Sequence, residues 1–207
     1  MLTYLAFFGA FNPPTKAHIN LAELARAKTG RDKVIFVPSK MLYIRDEQGK
    51  NLVYPDEKRL RMLQSIAEER PWMEVYDGEI RQKKQPRTYE TLCALREEGK
   101  DCCLLLGSDK LPELEHGWMY VRQIAEEFGI VCLKRNGDDI VRLIREDEYL
   151  SSLAPYITLI DSPDEMQFIS SSAVRERILE IRKLREELGS MVPIEILPFL
   201  TGDDVSQ

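Results

Sequence analysis

A glycine, two prolines, a threonine and a histidine follow the first strand-like run, in the segment Gly9–His18, which reads GAFNPPTKAH. Gly9 permits a sharp turn and a close approach of the backbone to a ligand. Thr15 and His18 stand at positions i and i+3 where a helix is expected to begin, so their side chains can project from one side of its first turn. Since a helix N-terminus favours an anion, this loop predicts a phosphate site. The alternative is a helix cap at Thr15 and a surface histidine at His18.

A second polar motif, Ile169–Arg175, reads ISSSAVR near the other end of the chain. Its serines are suited to cap a long helix, and Arg175 falls on the first turn. Hydroxyls, free N–H groups and a guanidinium together suit terminal phosphates. Taken alone, the segment is better explained as a plain N-cap with a solvated arginine. Together with Gly9–His18, it predicts the second half of a triphosphate clamp.

Two common nucleotide-binding patterns are absent from the sequence. No G-x-x-x-x-G-K followed by Ser or Thr occurs, and no G-x-G-x-x-G follows the first strand-like run. Kinase, GTPase and dinucleotide-dehydrogenase interpretations therefore lose their main support.

The elements that position these motifs alternate between strands and helices. Short apolar runs predict buried strands at Leu2–Phe8, Val34–Pro38, Met73–Tyr76, Cys102–Leu106, Ile130–Leu133 and Ile157–Ile160. Helical patterns cover His18–Lys28, Asp56–Glu69, Thr88–Glu98, Leu114–Glu127, Ile140–Tyr149 and Ser171–Leu188. The alternation predicts an α/β fold: a doubly wound, mostly parallel, Rossmann-like sheet with helices on both faces and a small C-terminal helical segment.

The chain is expected to form one domain over residues 1–207, with its helical part at about 170–201 and a short helix at Ile194–Leu200. Ser39–Tyr54 lacks periodicity and is interpreted as a long loop. In such sheets, ligands bind at the carboxyl ends of the strands. The segments that follow strands are Gly9–His18, Ser39–Lys40, Gly107–Asp109, Arg135–Gly137 and Asp161–Ser172.

Composition and the pattern of apolar runs favour a cytoplasmic protein. The formal net charge of −6 argues against nucleic acid as a partner. The four cysteines form no C-x-x-C pair and are expected to be buried and reduced. Met1 leads directly into a strand-like run without a signal-peptide pattern, and the longest apolar stretch, Cys102–Leu106, is too short to span a membrane. The pattern leaves room for a homo-oligomer.

Gly-x-Phe-x-Pro-x-Thr-x-x-His at the first loop and Ile-Ser-Ser-Ser-x-x-Arg near the C-terminus resemble the His/Thr-x-Gly-His and Ile-Ser-Ser-Thr-x-x-Arg signatures of the nucleotidyltransferase superfamily. Arg87–Leu92 (RTYETL), Leu106–Asp109 (LGSD) with Trp118 downstream, and Met191–Pro193 (MVP) resemble further motifs of its nicotinate/nicotinamide mononucleotide adenylyltransferase family. One departure is Ala17, which stands where bacterial members usually have glycine.

The resemblance implies transfer of AMP from ATP to a pyridine mononucleotide, with release of pyrophosphate, in NAD biosynthesis. The catalytic residues it implies are His18, Thr15 and Arg175. The ATP-binding residues it implies are Gly9, Phe11, Thr15, His18, Gly107, Asp109, Ser170, Ser171 and Arg175. The mononucleotide-binding residues it implies are Lys40, Thr88 and Trp118. Mg²⁺ is expected to arrive with ATP, without metal ligands of the chain's own.

Several of these residues have a structural alternative. Lys40 fits a solvated loop lysine equally well, and Trp118 fits a core tryptophan. Thr88 and Asp109 fit helix caps. The alternative functions are another small-molecule nucleotidyltransferase, of the phosphopantetheine adenylyltransferase or cytidylyltransferase type, and a non-catalytic nucleotide sensor. The sequence does not discriminate between nicotinate and nicotinamide mononucleotide, and it assigns no role to the loop at 39–54 or to the charged helix at 176–188.

Overall fold

The computed structural model describes residues 2–49, 53–134, 139–163 and 169–192. The chain divides into two compact units, Met1–Ile169 and Ser170–Gln207. The boundary falls where the helical part was expected to begin, and the single domain over residues 1–207 stays a prediction. The predicted helix at Ile194–Leu200 and the loop Arg135–Gly137 lie outside the described residues.

Six strands form one sheet in the first unit. They are β1 (Thr3–Gly9), β2 (Lys33–Pro38), β3 (Met73–Val75), β4 (Asp101–Gly107), β5 (Ile130–Lys134) and β6 (Ile157–Asp161). Their order is β3-β2-β1-β4-β5-β6, and every pairing between neighbours is parallel. This is the strand order of the doubly wound Rossmann fold, so the predicted fold class is confirmed.

Helices connect the strands and cover both faces of the sheet. They are α1 (Lys16–Thr29), α2 (Met41–Asp46), α3 (Asp56–Glu68), α4 (Gly78–Arg81), α5 (Thr88–Glu97), α6 (Leu114–Gly117), α7 (Val121–Phe128), α8 (Ile140–Glu146) and α9 (Glu148–Leu153). In the second unit, α10 spans Ser171–Met191. Successive side chains of a strand point to opposite faces. Accordingly, Ala6 packs in the core with Leu92 of α5 and Ile124 of α7, whereas Leu5 packs with Ile19 of α1 and Leu63 of α3.

Three predicted segments differ from the observed elements. The expected loop Ser39–Tyr54 contains α2, a six-residue helix with one buried side chain, Ile44, which is too short to show helical periodicity. The predicted helix Leu114–Glu127 is interrupted between α6 and α7, because Tyr120 adopts a left-handed backbone conformation (φ 64°). The predicted helix Ile140–Tyr149 is divided at Asp147, whose side chain accepts from the Leu150 N–H and caps α9.

Candidate functional site

The first loop begins at Gly9, the last residue of β1. A Cβ there would lie 3.1 Å from Cζ of Phe11, so the absence of a side chain lets the Phe11 ring pack back under the loop. Phe11 is 1% exposed, and its ring lies edge-on to the His18 imidazole, with 5.3 Å between centroids. The phenyl ring therefore supports the imidazole from the core side. Contact of Phe11 with ATP stays a prediction.

Thr15 and His18 hold each other at the N-terminus of α1. Thr15 is the N-cap, and its Oγ1 accepts from the His18 N–H at 3.4 Å. In return, Nδ1 of His18 accepts from the Thr15 N–H at 3.0 Å and lies 2.8 Å from Thr15 Oγ1. This reciprocal arrangement is a capping box in which histidine takes the place usually held by Glu or Gln. The predicted placement of both side chains at the first turn is confirmed, and so is the alternative role of Thr15 as the helix cap.

The capping box also determines the tautomer of His18. A backbone N–H can only donate, so Nδ1 must act as the acceptor for Thr15. The neutral ring then carries its proton on Nε2, and Nε2 is the atom with which it donates a hydrogen bond. A half-buried histidine held in this way, beside the free N–H groups of a helix N-terminus, has the chemistry required to bind a phosphate oxygen.

A buried arginine on α3 ties the first loop to the segments around it. Arg59 is fully buried, and its guanidinium donates to the carbonyl oxygens of Ala10 at 2.6 Å and Tyr54 at 3.2 Å. It also donates to the Ser39 carbonyl and to the Asp56 carboxylate. Burial lowers the pKa of the Arg59 guanidinium below its ordinary value, and its contact with Asp56 opposes that shift. Arg59 thus joins three segments of backbone through one charged group.

Two further contacts fasten the same loop. Asn12, 1% exposed, accepts from the Tyr54 N–H through Oδ1 at 2.8 Å. The Ser39 N–H donates to the Gly9 carbonyl at 3.0 Å, beyond the last residue of β2. The loop after β1 is therefore anchored on the side of β2 and α3 by buried polar groups.

Lys40 lies at the end of β2, beside the first loop as expected. Its Nζ donates to the Ile80 carbonyl at 2.6 Å, and its N–H donates to Oε1 of Gln85 at 2.8 Å. Lys40 is therefore bonded to the segment that follows β3, and it is not simply a solvated loop lysine. Its predicted contact with the mononucleotide stays a prediction.

Gly107 and Asp109 lie at the end of β4, the strand next to β1 in the sheet. β1 pairs with β4 in parallel as far as Phe7 opposite Leu105, and Gly9 and Gly107 each lie two residues beyond that pair, at the carboxyl ends of the two neighbouring strands. The chain reverses the direction of strand order between these two strands, which is where open α/β sheets bind ligands. Asp109 is exposed in the first turn of a 3-10 helix that begins after Gly107.

Thr88 and Trp118 belong to neighbouring segments. Thr88 is the first residue of α5, and the N-cap is Arg87, because Glu90 reaches back to accept from the Arg87 N–H at 2.8 Å. The cap expected at Thr88 is thus displaced by one residue. Tyr89 stacks against Tyr120 with 5.3 Å between ring centroids, which holds the segment that follows Trp118 against the start of α5. The half-buried Trp118 packs on the core beneath.

Ser170–Arg175 of the second predicted phosphate motif lie in the second compact unit. Ser170 is the N-cap of α10, and its Oγ accepts from the Ala173 N–H at 3.1 Å. Ser171 is the first helical residue, and Arg175 donates to Ser172 Oγ at 2.9 Å. The predicted cap is confirmed. The predicted phosphate contacts of Ser170, Ser171 and Arg175 stay predictions.

Other sequence expectations concern metals, cysteines and membranes. In the ranges that the structure describes, no group of three or more His, Cys, Asp and Glu side chains is placed to hold a metal ion. Cys102, Cys103 and Cys132 are buried and Cys93 is half-buried, and none of the four forms a disulfide. None of the described helices has the length and apolar character needed to cross a membrane.

Arg59 is a residue of this site whose structural role is hard to predict from the sequence. Its position just after the segment 39–54 indicates nothing about burial, since exposed arginines on amphipathic helices are common. One usable signal is Asp56 at i−3, because a carboxylate in the first turn of a helix can pair with an arginine one turn later.

The family model for cytidylyltransferase-like proteins matches residues 6–177. A Clostridium acetobutylicum protein named "Probable nicotinate-nucleotide adenylyltransferase" is 31% identical over 193 residues, which cover 92% of each chain. The "Nicotinamide/nicotinic acid mononucleotide adenylyltransferase" of Arabidopsis thaliana is 29% identical over 196 residues, covering 86% of this chain and 82% of the relative.

A solved structure has the same fold. The Plasmodium falciparum nicotinic acid mononucleotide adenylyltransferase, complexed with NaAD, superposes with a TM-score of 0.64 at 20% identity, covering 85% of this chain and 83% of the other. Three observations indicate the same family: the order of the strands in the sheet, the histidine in the capping box of α1, and the matches over most of the chain. The chain belongs to the cytidylyltransferase-like family and, within it, to the nicotinate-nucleotide adenylyltransferases.

Proposed function

We propose that the chain transfers AMP from ATP to nicotinate or nicotinamide mononucleotide and releases pyrophosphate, a step of NAD biosynthesis. The observation that carries the proposal is the Thr15–His18 capping box at the end of β1, where the order of the strands reverses. The names of the relatives supply the reaction type, and the NaAD in the Plasmodium falciparum complex contains the same two halves that the reaction would join.

The proposed chemistry requires no base from the protein. The second ionisation of a phosphate monoester lies near pH ~6, so the 5′-phosphate is largely dianionic at neutral pH and attacks the α-phosphorus directly. A new P–O bond forms on one side of that phosphorus, and the bond to pyrophosphate breaks on the other. The protein contributes position and charge stabilisation.

Within this proposal, His18 donates its Nε2–H to an α- or β-phosphate oxygen as negative charge accumulates there. The capping box holds the ring in the required orientation before ATP arrives, so little reorganisation is needed. Thr15 is then both a helix cap and the partner that orients His18. Gly107 and Asp109 are proposed to face the adenosine ribose, since a carboxylate at the end of β4 can accept from ribose hydroxyls.

ATP is proposed to bind as its Mg²⁺ complex. Mg²⁺ keeps several waters and binds readily to substrate phosphates. The predicted phosphate site is built from a histidine, a threonine and backbone N–H groups. These groups do not form the cluster of oxygen ligands that Mg²⁺ would need to bind to the protein directly, so a metal carried by the nucleotide suits the site.

The binding partners, the cellular location and the oligomeric state of the chain are also part of the proposal. The net charge of −6 supports small-molecule partners over nucleic acid. A cytoplasmic location and a homo-oligomeric state stay predictions.

The test is a pyrophosphate-release assay on the purified chain with ATP and Mg²⁺. The acceptor is nicotinate mononucleotide, nicotinamide mononucleotide or phosphopantetheine in turn, with CTP replacing ATP in a parallel series. We expect release with at least one pyridine mononucleotide, and a dinucleotide product by mass spectrometry. Release only with phosphopantetheine or only with CTP would refute the proposed substrates. ATP binding without turnover on any acceptor would indicate a sensor.

A further inference from the structure

A buried carboxylate lies between β2 and α5, in a segment to which none of the predicted roles applies. Glu79, on α4, is 2% exposed. Its Oε1 accepts from Thr91 Oγ1 at 2.8 Å, and its Oε2 accepts from Nε2 of Gln85. Burial raises the pKa of the Glu79 carboxyl to about 7, which means that its ionised form is held at a cost. An apolar side chain would fill this position without that cost.

Gln85 connects Glu79 to the end of β2 through two hydrogen bonds. A carboxamide has a donor end and an acceptor end, and Glu79 engages the donor end. The acceptor end must then face the other way, where Oε1 accepts from the Lys40 N–H at 2.8 Å. The bond from Lys40 Nζ to the Ile80 carbonyl, 2.6 Å long, reinforces the same contact. Glu79 therefore determines which way Gln85 points, and Gln85 holds the backbone of Lys40.

This network lies among three predicted site residues. Lys40 is a partner of Gln85, and its neighbour Ser39 donates to the Gly9 carbonyl at 3.0 Å. Gln85 also lies three residues before Thr88, the first residue of α5. The other partner of Glu79 is Thr91, which lies about one turn further along the same helix. A shift of Gln85 would therefore move the Lys40 backbone and the approach to Thr88 together.

We propose that Glu79 and Gln85 are a pair of positioning residues for the mononucleotide side of the site, in which Glu79 orients Gln85 and Gln85 sets the spacing between Lys40 and the start of α5. The pair acts through these neighbours, without touching the reacting atoms. The inference rests on the adenylyltransferase function proposed above, because it assigns the pair to one of that reaction's two substrates.

The hydrogen-bond directions make the pair testable by exchange. In Glu79→Gln, the new amide can turn so that its oxygen accepts from the Gln85 NH₂ and its NH₂ donates to Thr91 Oγ1, because a hydroxyl accepts as well as donates. This variant therefore keeps the bonds from Gln85 to position 79 and to the Lys40 N–H. Gln85→Glu places two carboxylates together. In the double variant, the amide at position 79 donates to the carboxylate at position 85 and accepts from Thr91, while that carboxylate accepts from the Lys40 N–H. The double variant restores every bond and keeps the net charge.

The experiment measures kcat and both KM values for the wild type, the two single variants and the double variant. Loss of one hydrogen bond corresponds to a change of up to about tenfold. We therefore expect Gln85→Glu to raise KM for the mononucleotide by about tenfold, with KM for ATP within about twofold of wild type, and Glu79→Gln to leave both KM values within about twofold of wild type. The double variant should return to within about twofold of the wild-type values. Calorimetric titration of the mononucleotide without ATP should give the same pattern in Kd.

Gln82→Glu is the matched control, because Gln82 is exposed in the same segment and the change adds the same charge; it should alter neither KM. If Gln85→Glu does not fold, Gln85→Ala removes the bond to Lys40 without bringing two carboxylates together.

The outcomes separate the positioning role from the function. A double variant as impaired as Gln85→Glu would overturn the positioning role, as would equal effects of Gln85→Glu on the two KM values. A wild type that transfers AMP to neither mononucleotide would refute the proposed function, and the positioning role with it. Rescue of KM and Kd in the double variant of an active enzyme supports both.

Discussion

Replacing Arg59 with methionine is expected to destabilise the first unit, because the guanidinium is fully buried and serves four acceptors. The change leaves the carbonyls of Ala10, Ser39 and Tyr54 without this donor. An unsatisfied buried polar group costs roughly 1–3 kcal/mol, and breaking a buried ion pair by removing one partner costs roughly 3–5 kcal/mol.

Two features reduce the loss of stability that is expected for Arg59→Met. The methionine side chain fills much of the volume, and it removes the desolvation that lowers the pKa of Arg59. Asp56, whose side chain is 25% exposed, keeps the Met41 N–H as a donor at 2.6 Å and can take up water. We therefore expect a loss of about 3–5 kcal/mol in the free energy of unfolding. Arg59→Lys should lose less, about 1–3 kcal/mol, since an ammonium keeps the charge but lacks the planar fork.

Urea denaturation followed by circular dichroism measures these losses directly. Arg61→Met is the control, because Arg61 is exposed on the same helix; it should change the free energy of unfolding by less than about 0.5 kcal/mol. A loss below about 1 kcal/mol for Arg59→Met would show that the guanidinium does not hold the three backbone segments together, and would refute the reasoning.

Three further predictions concern the site. His18→Ala should lower kcat on the order of a hundredfold, the usual scale for one donor to the transition state, and near-normal turnover by a folded variant would contradict its role. Trp118→Ala should raise KM for the mononucleotide far more than KM for ATP, since an indole face attracts a pyridinium ring; equal changes would indicate packing alone. Burial raises the Glu79 pKa from 4.5 to about 7, and its partners Gln85 and Thr91 are neutral, so the native state binds more protons than the unfolded state between these values. The contribution of Glu79 to the free energy of unfolding should therefore fall by about 3 kcal/mol as pH rises from 4 to 8, and urea titrations across this range should show that Glu79→Gln abolishes that fall.

Most strands could be located from the sequence, because parallel strands buried on both faces are continuous apolar runs bounded by polar residues. Asp101–Gly107, for example, carries CCLLL at its centre and is buried at those five positions. The caps at Thr15 and Ser170 could be predicted as well, since each depends on residues three positions apart. The helix α2 and the interruption at Tyr120 could not, because a six-residue helix has too few turns for periodicity and a left-handed tyrosine carries no sequence signal.

The sequence by itself determined the local features of this protein: which runs form strands, where α1 begins, and that Thr15 and His18 share one helical turn. The tertiary structure alone decided the contacts between distant segments. The order of strands makes β1 and β4, which end at Gly9 and Gly107, neighbours in the sheet, and burial turns Arg59 and Glu79 from ordinary surface residue types into the groups that hold the loops. The physical reason is that capping and periodicity act over a few residues, whereas burial and long-range hydrogen bonds depend on which elements the topology places together.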